Sequence, residues 1–443
     1  MRPLVLRHPL RHWVDPAAAF VALHGASTDV VWLDTGANAT TGASYIGAAS
    51  RVADTFEGSV FDFLRADLAE HALESGADGF QLGWVGWLGY ELRFETLGQP
   101  RNRESRYPDA ALIFVDRAIE FDHASQTVTL LALASDWAEA AAWRDATIAA
   151  LDSAAPPAAA PAPAPATAVW RYPDADYLAM VDACKAAITE GEAYQLCLTT
   201  EATVDVSPDP VATYLALRAS SPSHHGALLR IGPIALLSSS PEQFLTVSPD
   251  GVVESRPIKG TRRRGATVTE DEALRDELES SDKERAENLM IVDLMRNDIA
   301  RVSEIGSVEV TSLLAVESYA QVHQLVSTVR GRLAPDIDAL DAVAVCFPAG
   351  SMTGAPKYSA TMILDGLEQR ARGIYAGAFG YFGLNGRVDL AMVIRSIVID
   401  EHGSTVGSGG GITALSVPVE ELEEVRIKAA ALLAVLGAGD VST

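Results

Sequence analysis

A lysine in a glycine-containing turn is the first feature of this sequence that suggests chemistry. Lys259 stands in residues 257–261 (PIKGT), and three arginines follow directly at 262–264. A lysine amine is a nucleophile only when it is neutral, and nearby positive charges favour that form by lowering its pKa. The alternative is a surface turn with a solvated run of positive charge, and these residues by themselves favour it.

Two pairs of glutamates at helical spacing could bind a metal ion. Glu284 and Glu287 are three residues apart, and Glu421 and Glu424 repeat the spacing near the C-terminus. Residues three apart project from one face of a helix. Two such helices could hold Mg²⁺, a hard cation that takes oxygen ligands. On spacing alone, however, glutamates are more typical of a solvated helix face.

Polar residues in apolar segments and two glycine runs form a third group of candidates. Arg395 interrupts AMVIRSIVI, where a buried guanidinium is costly unless it meets a carboxylate. His323 either faces the core or belongs to a site, and Glu242 is either a turn cap or a buried acid. Residues 407–412 (GSGGGI) either bring backbone N–H groups close to an anion or form a flexible loop. Residues 347–357 (FPAGSMTGAPK) lack the features of a P-loop, which argues against a nucleotide hydrolase.

The elements that must position these residues are mainly strands. Segments rich in β-branched and aromatic residues and broken by glycine recur in both halves of the chain. They outnumber the helices needed for crossovers, which predicts an α+β fold. The Ala/Pro stretch 153–168 predicts an extended linker. It divides the chain into an N-terminal region, 1–152, and a C-terminal region, 169–438.

Composition excludes several classes of function. The 443 residues carry a formal charge of -25, which argues against nucleic-acid or anionic-membrane partners. No apolar run approaches the roughly 18 residues needed to span a bilayer, and the N-terminus is a poor secretory signal. The 3 cysteines are too scattered for a disulfide framework or a zinc site. A cytoplasmic location is therefore expected.

Taken together, the motifs resemble those of the chorismate-utilising enzymes, in the same order, over most of residues 170–435. The matching segments are SPEQF (240–244), PIKGT, KERAENLMIVDLMRND (283–298), GSMTGAPK (350–357), RGIYAGAFGYF (372–382), the Arg395 strand and GGGI (409–412). The N-terminal half is more loosely similar to anthranilate and aminodeoxychorismate synthases through VWLDTG, SYIGAAS and GWVGWLGYEL. The resemblance implies large antiparallel β-sheets packed as a sandwich, with helices on the outside.

The resemblance also implies a magnesium-dependent reaction of chorismate. In this family Mg²⁺ binds the ring carboxylate, and the ring 4-hydroxyl leaves as a nucleophile adds. By position, Glu287 and Glu424 resemble the direct metal ligands, with Glu284 and Glu421 beside them. The implied substrate-binding residues are Thr261, Thr353, Gly354, Tyr375, Arg395, Gly409, Gly410, Gly411 and Lys428.

Two positions distinguish the branches of the family. Isochorismate and salicylate synthases have a lysine that activates water where Gln195 stands here, so water addition is disfavoured. Anthranilate synthases usually have Ala in the middle of PIxGT, whereas aminodeoxychorismate synthases have the lysine found here as Lys259. The implied catalytic residues are Lys259, which adds covalently to chorismate, Glu242, which protonates the leaving hydroxyl, and His323, which lines the ring. Ammonia then displaces the lysine and yields 4-amino-4-deoxychorismate, the precursor of 4-aminobenzoate and folate.

The expected partners follow from this chemistry. None of the cysteines lies in the elbow of a glutamine amidotransferase, so ammonia would come from solution or from a separate glutaminase subunit. Two alternatives stay open: an anthranilate synthase component I, and a non-catalytic chorismate-binding subunit. A tryptophan pocket near Trp32 and Asp34 is a further expectation from the resemblance, although Trp32 could simply be a core residue.

Overall fold

The computed structural model describes residues 4–73, 78–158, 162–319 and 322–439. Strands β1–β22 are, in order, Leu4–Pro9, Val30–Asp34, Ala43–Ala48, Arg51–Ala53, Gly83–Leu88, Ala110–Val115, Arg117–Asp122, Thr127–Ala134, Ala168–Trp170, Gln195–Val204, His225–Ile231, Ile234–Ser240, Gln243–Val247, Val252–Arg256, Ile258–Arg263, Glu309–Ser318, Val322–Arg332, Gly354–Ala355, Ala378–Gly383, Val388–Met392, Ser396–Asp400 and Gly403–Ile412. Helices α1–α11 are Pro16–His24, Val60–Glu70, Arg93–Thr96, Trp137–Asp152, Asp174–Thr189, Pro210–Ser220, Val268–Ser280, Asp282–Ala300, Ala339–Cys346, Lys357–Glu368 and Pro418–Val435. Two short 3₁₀ helices are Tyr90–Leu92 and Gly350–Met352.

The strands form two large antiparallel sheets. In the described residues the first sheet has 12 strands in the order β1-β8-β7-β3-β2-β11-β12-β21-β22-β10-β18, with β9 paired to β10. The second has 10 strands in the order β15-β17-β14-β13-β20-β19-β5-β6-β4, with β16 paired to β17. The predicted α+β fold with large antiparallel sheets is thus confirmed.

The core lies between the sheets and between the first sheet and its helices. One apolar cluster joins side chains of both sheets, such as Leu229 and Trp84. A second joins the other face of the first sheet to α1, α4, α6 and α11, for example Leu228 to Phe20 and Leu432. Apolar residues on strands with buried inner faces drive this layering. The sandwich with outer helices follows from it.

Strands from both sides of the Ala/Pro stretch share each sheet. β2 pairs with β11 in the first sheet, and β5 pairs with β19 in the second. The division at 153–168 therefore stays a prediction about the chain, and residues 159–161 of that stretch lie outside the described residues. Among the helices that the structure describes, none is both long and apolar enough to cross a membrane.

Helices α7 and α8 follow one another directly and bring acidic residues to the second sheet. Ser281 separates them, and its side-chain oxygen accepts a hydrogen bond from the Glu284 N–H, so it serves as the N-cap of α8. A serine in this position satisfies a free N–H of the first turn. The cap fixes where α8 begins and therefore which face carries its glutamates.

Candidate active site

Strand β15 carries Lys259 on the face that α8 covers. β15 pairs antiparallel with β17, and Arg262 lies opposite His323. The register shifts directly after Lys259, at Gly260, whose φ of 77° favours glycine. Such a bulge keeps side chains three positions apart on one face. Lys259, Arg262 and His323 therefore share the face on which Glu284 reaches Arg262.

The Lys259 amine is largely buried and faces negative charge. Its Nζ lies 3.9 Å from Oε2 of Glu287. Burial by itself lowers the pKa of Lys259, but the charges of Glu287, Cys197, Glu242 and Glu424 outweigh it, so the pKa is raised. These surroundings hold the amine in its protonated form.

The three arginines after the turn are not the main influence on the pKa of Lys259, which is raised and not lowered. Each is instead paired with acidic side chains: Arg262 with Glu277 and Glu284, Arg263 with Glu270, and Arg264 with Asp271. Paired charges largely cancel at a distance, and none of the three arginines is among the largest influences on the pKa of Lys259. These ion pairs hold α7 and α8 against β15.

The glycines of β22 let the side chains of Lys259 and Gln195 lie close to the backbone at Gly411. A Cβ added to Gly411 would stand 3.4 Å from Lys259 Nζ and 2.4 Å from Gln195 Nε2. A Cβ added to Gly410 would stand 3.1 Å from Glu421 Oε2. Gln195 is 1% exposed, and neither atom of its amide has a hydrogen-bond partner among the described residues. An unsatisfied buried amide is costly and suggests a ligand that completes it.

The four glutamates predicted to bind metal lie on α8 and α11, and each is paired with a cation. The pairs are Arg262–Glu284 at 3.5 Å, Lys259–Glu287 at 3.9 Å, Lys283–Glu421 at 3.3 Å and Lys428–Glu424 at 2.6 Å. Burial raises the pKa of Glu287 against the effect of Lys259, and the charges of Glu284 and Glu424 add to the rise. A carboxylate of α11 therefore influences the pKa of a carboxylate of α8.

This donor set fits the chemistry of Mg²⁺. Carboxylate oxygens are the ligands that a hard divalent cation prefers, and mutually repelling carboxylates gain from such a cation. Among the described residues, no three His, Cys, Asp or Glu side chains form a preformed metal centre. The metal and its ligands stay a prediction.

Glu242 is a buried acid rather than an exposed turn cap. It is 7% exposed, and it accepts hydrogen bonds from the Ser351 hydroxyl and the Ile258 N–H. Burial raises the pKa of Glu242 to about 7, against the opposing charge of Lys259. A carboxyl group with this pKa is partly protonated at neutral pH and can donate a proton.

Arg395 is the best-placed group for binding a carboxylate. Its backbone φ is 49°, and burial lowers the pKa of its guanidinium, although Tyr375 and Glu424 oppose the shift. Within the described residues no carboxylate lies within ion-pair distance of Arg395. The ring of Tyr375 packs flat against Gly407, where a Cβ would stand 2.1 Å from Tyr375 Cγ. Lys428 donates to the Gly409 carbonyl at 2.9 Å.

The remaining predicted residues are exposed, engaged within the protein or required for close backbone packing. Thr261 is exposed, and Thr353 is fully buried with its hydroxyl donating to the Ala349 carbonyl at 3.1 Å. Gly354 lets β18 approach β10, since a Cβ there would stand 2.1 Å from the Gln195 carbonyl oxygen. His323 is 1% exposed, and both of its ring nitrogens are hydrogen-bonded within the protein.

Of the two residues predicted to form a tryptophan pocket, one lies in the core and the other lines a cavity. Trp32 is fully buried and stacks on Phe20. Asp34 lines a cavity of about 510 Å³, and its carboxylate pairs with Arg218 at 2.6 Å. None of the residues of the candidate active site lines this cavity. Tryptophan binding there stays a prediction.

Sequence reasoning missed four residues that surround the site. These are Lys283, which pairs with Glu421, Cys197, which affects Lys259, Ser351, which bonds to Glu242, and Asp271, which bonds to His323. Lys283 and Ser351 stand inside matched motifs and could have been named from them. Cys197 and Asp271 carry no pattern of their own, because only the packing of β10 and α7 brings them close.

Comparisons with known proteins agree with this geometry. The chain is 47% identical over 397 residues to "Aminodeoxychorismate synthase" of Streptomyces griseus, which covers 88% of this chain and 55% of that protein. It is 37% identical over 392 residues to "Anthranilate synthase component 1" of Arthrobacter globiformis, with 83% and 73% covered. The crystal structure of anthranilate synthase component I from Streptococcus pneumoniae TIGR4 superimposes with a TM-score of 0.75 at 26% identity, covering 98% of this chain and 92% of that one.

The chain spans about half the length of the curated aminodeoxychorismate synthases that it matches. The family described as chorismate binding enzyme matches residues 28–434, which include the second sheet, the first sheet except β1, and every residue of the candidate site. With its buried lysine, its paired carboxylates and this match, the chain belongs to the chorismate binding enzyme family.

Proposed function

We propose that this chain is the synthase component that converts chorismate and ammonia to 4-amino-4-deoxychorismate. The observation that carries the proposal is the convergence of the largely buried Lys259 amine, the Gln195 amide and Gly411. A lysine at this point in the site is what the amination of C4 requires. The names of the relatives that are 44–47% identical support the same branch.

The first step joins Lys259 to the substrate. The neutral Lys259 amine forms a bond to C2 of chorismate, both ring double bonds shift, and the bond from C4 to the hydroxyl breaks. The added nitrogen then releases one proton, which Glu242 can take up after it has protonated the hydroxyl. Glu242 supplies the proton with which that hydroxyl leaves as water, and its pKa of about 7 suits this role. Lys259 must lose its own proton first, and the carboxylates around it oppose that loss.

A magnesium ion would act at the acidic ends of α8 and α11. Glu287 and Glu424 would hold it, with Glu284 and Glu421 beside them. When bound, it would offset the negative charge near Lys259 and bind the ring carboxylate of chorismate. Arg395, Lys428 and Tyr375 would orient the substrate, and the unpaired Arg395 guanidinium suits a second carboxylate.

The second step replaces the lysine by ammonia. Ammonia forms a bond to C4, both ring double bonds shift back, and the bond from C2 to the Lys259 nitrogen breaks as that nitrogen takes up the proton that the added ammonia releases. Gln195 cannot act as a base toward water, because an amide has no titratable proton in the physiological range. Addition of water is therefore disfavoured. The free side-chain carbonyl of Gln195 can instead accept a hydrogen bond from a neutral amine.

Ammonia would come from solution or from a glutaminase subunit, and a cytoplasmic location stays a prediction.

The test of the proposed reaction is incubation of the chain with chorismate, Mg²⁺ and ammonium, followed by mass spectrometry and chromatography. We expect 4-amino-4-deoxychorismate; anthranilate as the product would overturn the proposal. That second outcome is worth testing because the solved neighbour with a TM-score of 0.75 is an anthranilate synthase component I.

A further inference from the structure

Helix α7 is held to the second sheet mainly by charge. Leu278 is its one fully buried side chain within the described chain, since most of the helix is exposed. Its acidic residues pair with the arginines that follow Lys259. A helix that buries so little apolar surface gains little from packing, so these polar contacts determine where it sits.

Asp271 differs from the other acidic residues of α7 because it reaches a buried histidine. Its Oδ1 lies 3.0 Å from Nε2 of His323 and accepts from the Gly265 N–H at 2.8 Å. Arg264 donates to both carboxylate oxygens, at 2.8 and 2.7 Å. The Arg264 hydrogen bonds and the Gly265 N–H hold the pKa of Asp271 well below its usual range.

The other ring nitrogen of His323 is engaged as well. Nδ1 lies 2.8 Å from the Ser318 hydroxyl. A carboxylate can only accept a hydrogen bond, so Nε2 must donate to Asp271. In the neutral ring Nδ1 then accepts from the hydroxyl. The protein thus leaves neither nitrogen of His323 for a substrate.

His323 nevertheless stands beside the reacting lysine. It lies opposite Arg262 in the β15–β17 pair, two residues from Leu325, which lies opposite Lys259. Residues two apart on a strand point to the same face and are separated by about 7 Å. The ring of His323 therefore borders the space next to Lys259 with a fixed orientation.

We infer that Asp271 is a positioning residue that fixes the ring of His323 as a wall of the site, and that His323 acts by its shape rather than by proton transfer. The inference rests on the proposed function, because it concerns the same site. His323 is then a residue that lines the substrate ring, and Asp271 is the group that fixes its orientation. Asp271 would act on the substrate only through that ring.

The test compares Asp271→Ala with Glu270→Ala in the full chain. Glu270 is the matched control, because it is adjacent on α7, pairs with Arg263 and has no contact with His323 in the interactions described above. For the ring itself, ¹⁵N NMR of histidine-labelled protein is recorded without ligand, and His323→Gln identifies the signal among the 9 histidines. We expect a fixed Nε2–H form in the wild type and in Glu270→Ala, and an averaged signal in Asp271→Ala.

The kinetic part measures kcat and KM for chorismate in the same variants. Asp271→Ala should lower kcat/KM by about tenfold to a hundredfold, which is the usual effect of losing a hydrogen bond to a charged group. Glu270→Ala should stay within about twofold of the wild type in kcat/KM. Asp271→Asn, whose amide oxygen still accepts from Nε2–H, should recover part of the loss.

Two results would overturn the inference. One is an unchanged His323 signal in Asp271→Ala, since the carboxylate would then not hold the ring. The other is equal kcat/KM in the Asp271 and Glu270 variants. If the product is not 4-amino-4-deoxychorismate, the proposed function fails, while the ¹⁵N signals and the turnover of chorismate to the actual product still decide the role of Asp271.

Discussion

A methyl group added at Gly407 tests whether the proposed orientation of the substrate depends on the exact position of the Tyr375 ring. The Cβ of Gly407→Ala would stand 2.1, 2.3 and 2.6 Å from the Cγ, Cδ2 and Cδ1 atoms of the Tyr375 ring. Carbon atoms pack comfortably at about 3.5 Å, so the ring must move by more than about 1 Å. The ring is rigid and the strand β22 is paired on both sides, so the strain cannot be relieved by a flexible side-chain end.

Two quantities should change. Overpacking of this kind costs about 1–3 kcal/mol, which lowers the Tm by several degrees. A displacement of about 1 Å in a substrate-positioning group costs about a hundredfold in rate. We therefore expect kcat/KM for chorismate to fall about a hundredfold in Gly407→Ala, while the far-ultraviolet circular dichroism spectrum stays native.

Two controls separate the ring from general damage. Gly366→Ala on α10 meets no atom within 4 Å and should leave activity unchanged, with stability equal or slightly higher. Adding Tyr375→Ala to Gly407→Ala removes the clash, so the methyl group should then cost nothing in stability. A Gly407→Ala protein with native Tm and native kcat/KM would refute this reasoning, because the ring could not then be packed against Gly407.

Three further predictions concern the buried charges. Lys259→Ala should form no covalent adduct with chorismate in intact-mass spectra, whereas persistence of the adduct would exclude Lys259 as the nucleophile. Glu242→Gln should slow adduct formation about a hundredfold or more. Because burial raises the pKa of Glu242 to about 7, its acid form is lost as the pH rises through that value, while the neutral form of Lys259, whose pKa is raised, becomes more common. The wild-type rate of adduct formation should therefore stop rising above about pH 7, whereas the Glu242→Gln rate should continue to rise with pH. Arg372→Met should destabilise the protein by about 3–5 kcal/mol, measured by unfolding in urea, since it leaves the buried carboxylate of Glu368, now 2.7 Å from Arg372, without its ion-pair partner. An unchanged stability would contradict this.

Much of the fold could be predicted from the sequence because strand signals are local. Alternating and β-branched segments gave the α+β class, and the order of the motifs implied the sandwich. The sharing of both sheets by the two halves of the chain could not be predicted in this way. Pairing of β2 with β11 joins residues almost two hundred positions apart, and nothing in either segment specifies its partner.

The candidate site shows the same division. The order of the motifs identified Lys259, Glu242 and the glutamates of α8 and α11, because residue types and spacings can be read directly from the sequence. The sequence also suggested that the arginines beside Lys259 would lower its pKa. In the structure the pKa of Lys259 is raised, because the arginines are paired with acids of α7 and α8 while Glu287 lies 3.9 Å from the amine.

The sequence by itself determined which reactive groups this protein has, and the tertiary structure decided what each of them faces. Lys259 is a lysine in PIKGT in any conformation, but its pKa depends on burial and on the distances to charges from distant segments. Electrostatic energy varies with distance and with the surrounding dielectric, neither of which is a property of neighbours in sequence. For that reason the free Gln195 amide, the unpaired Arg395 and the fixed ring of His323 became visible only in the folded chain.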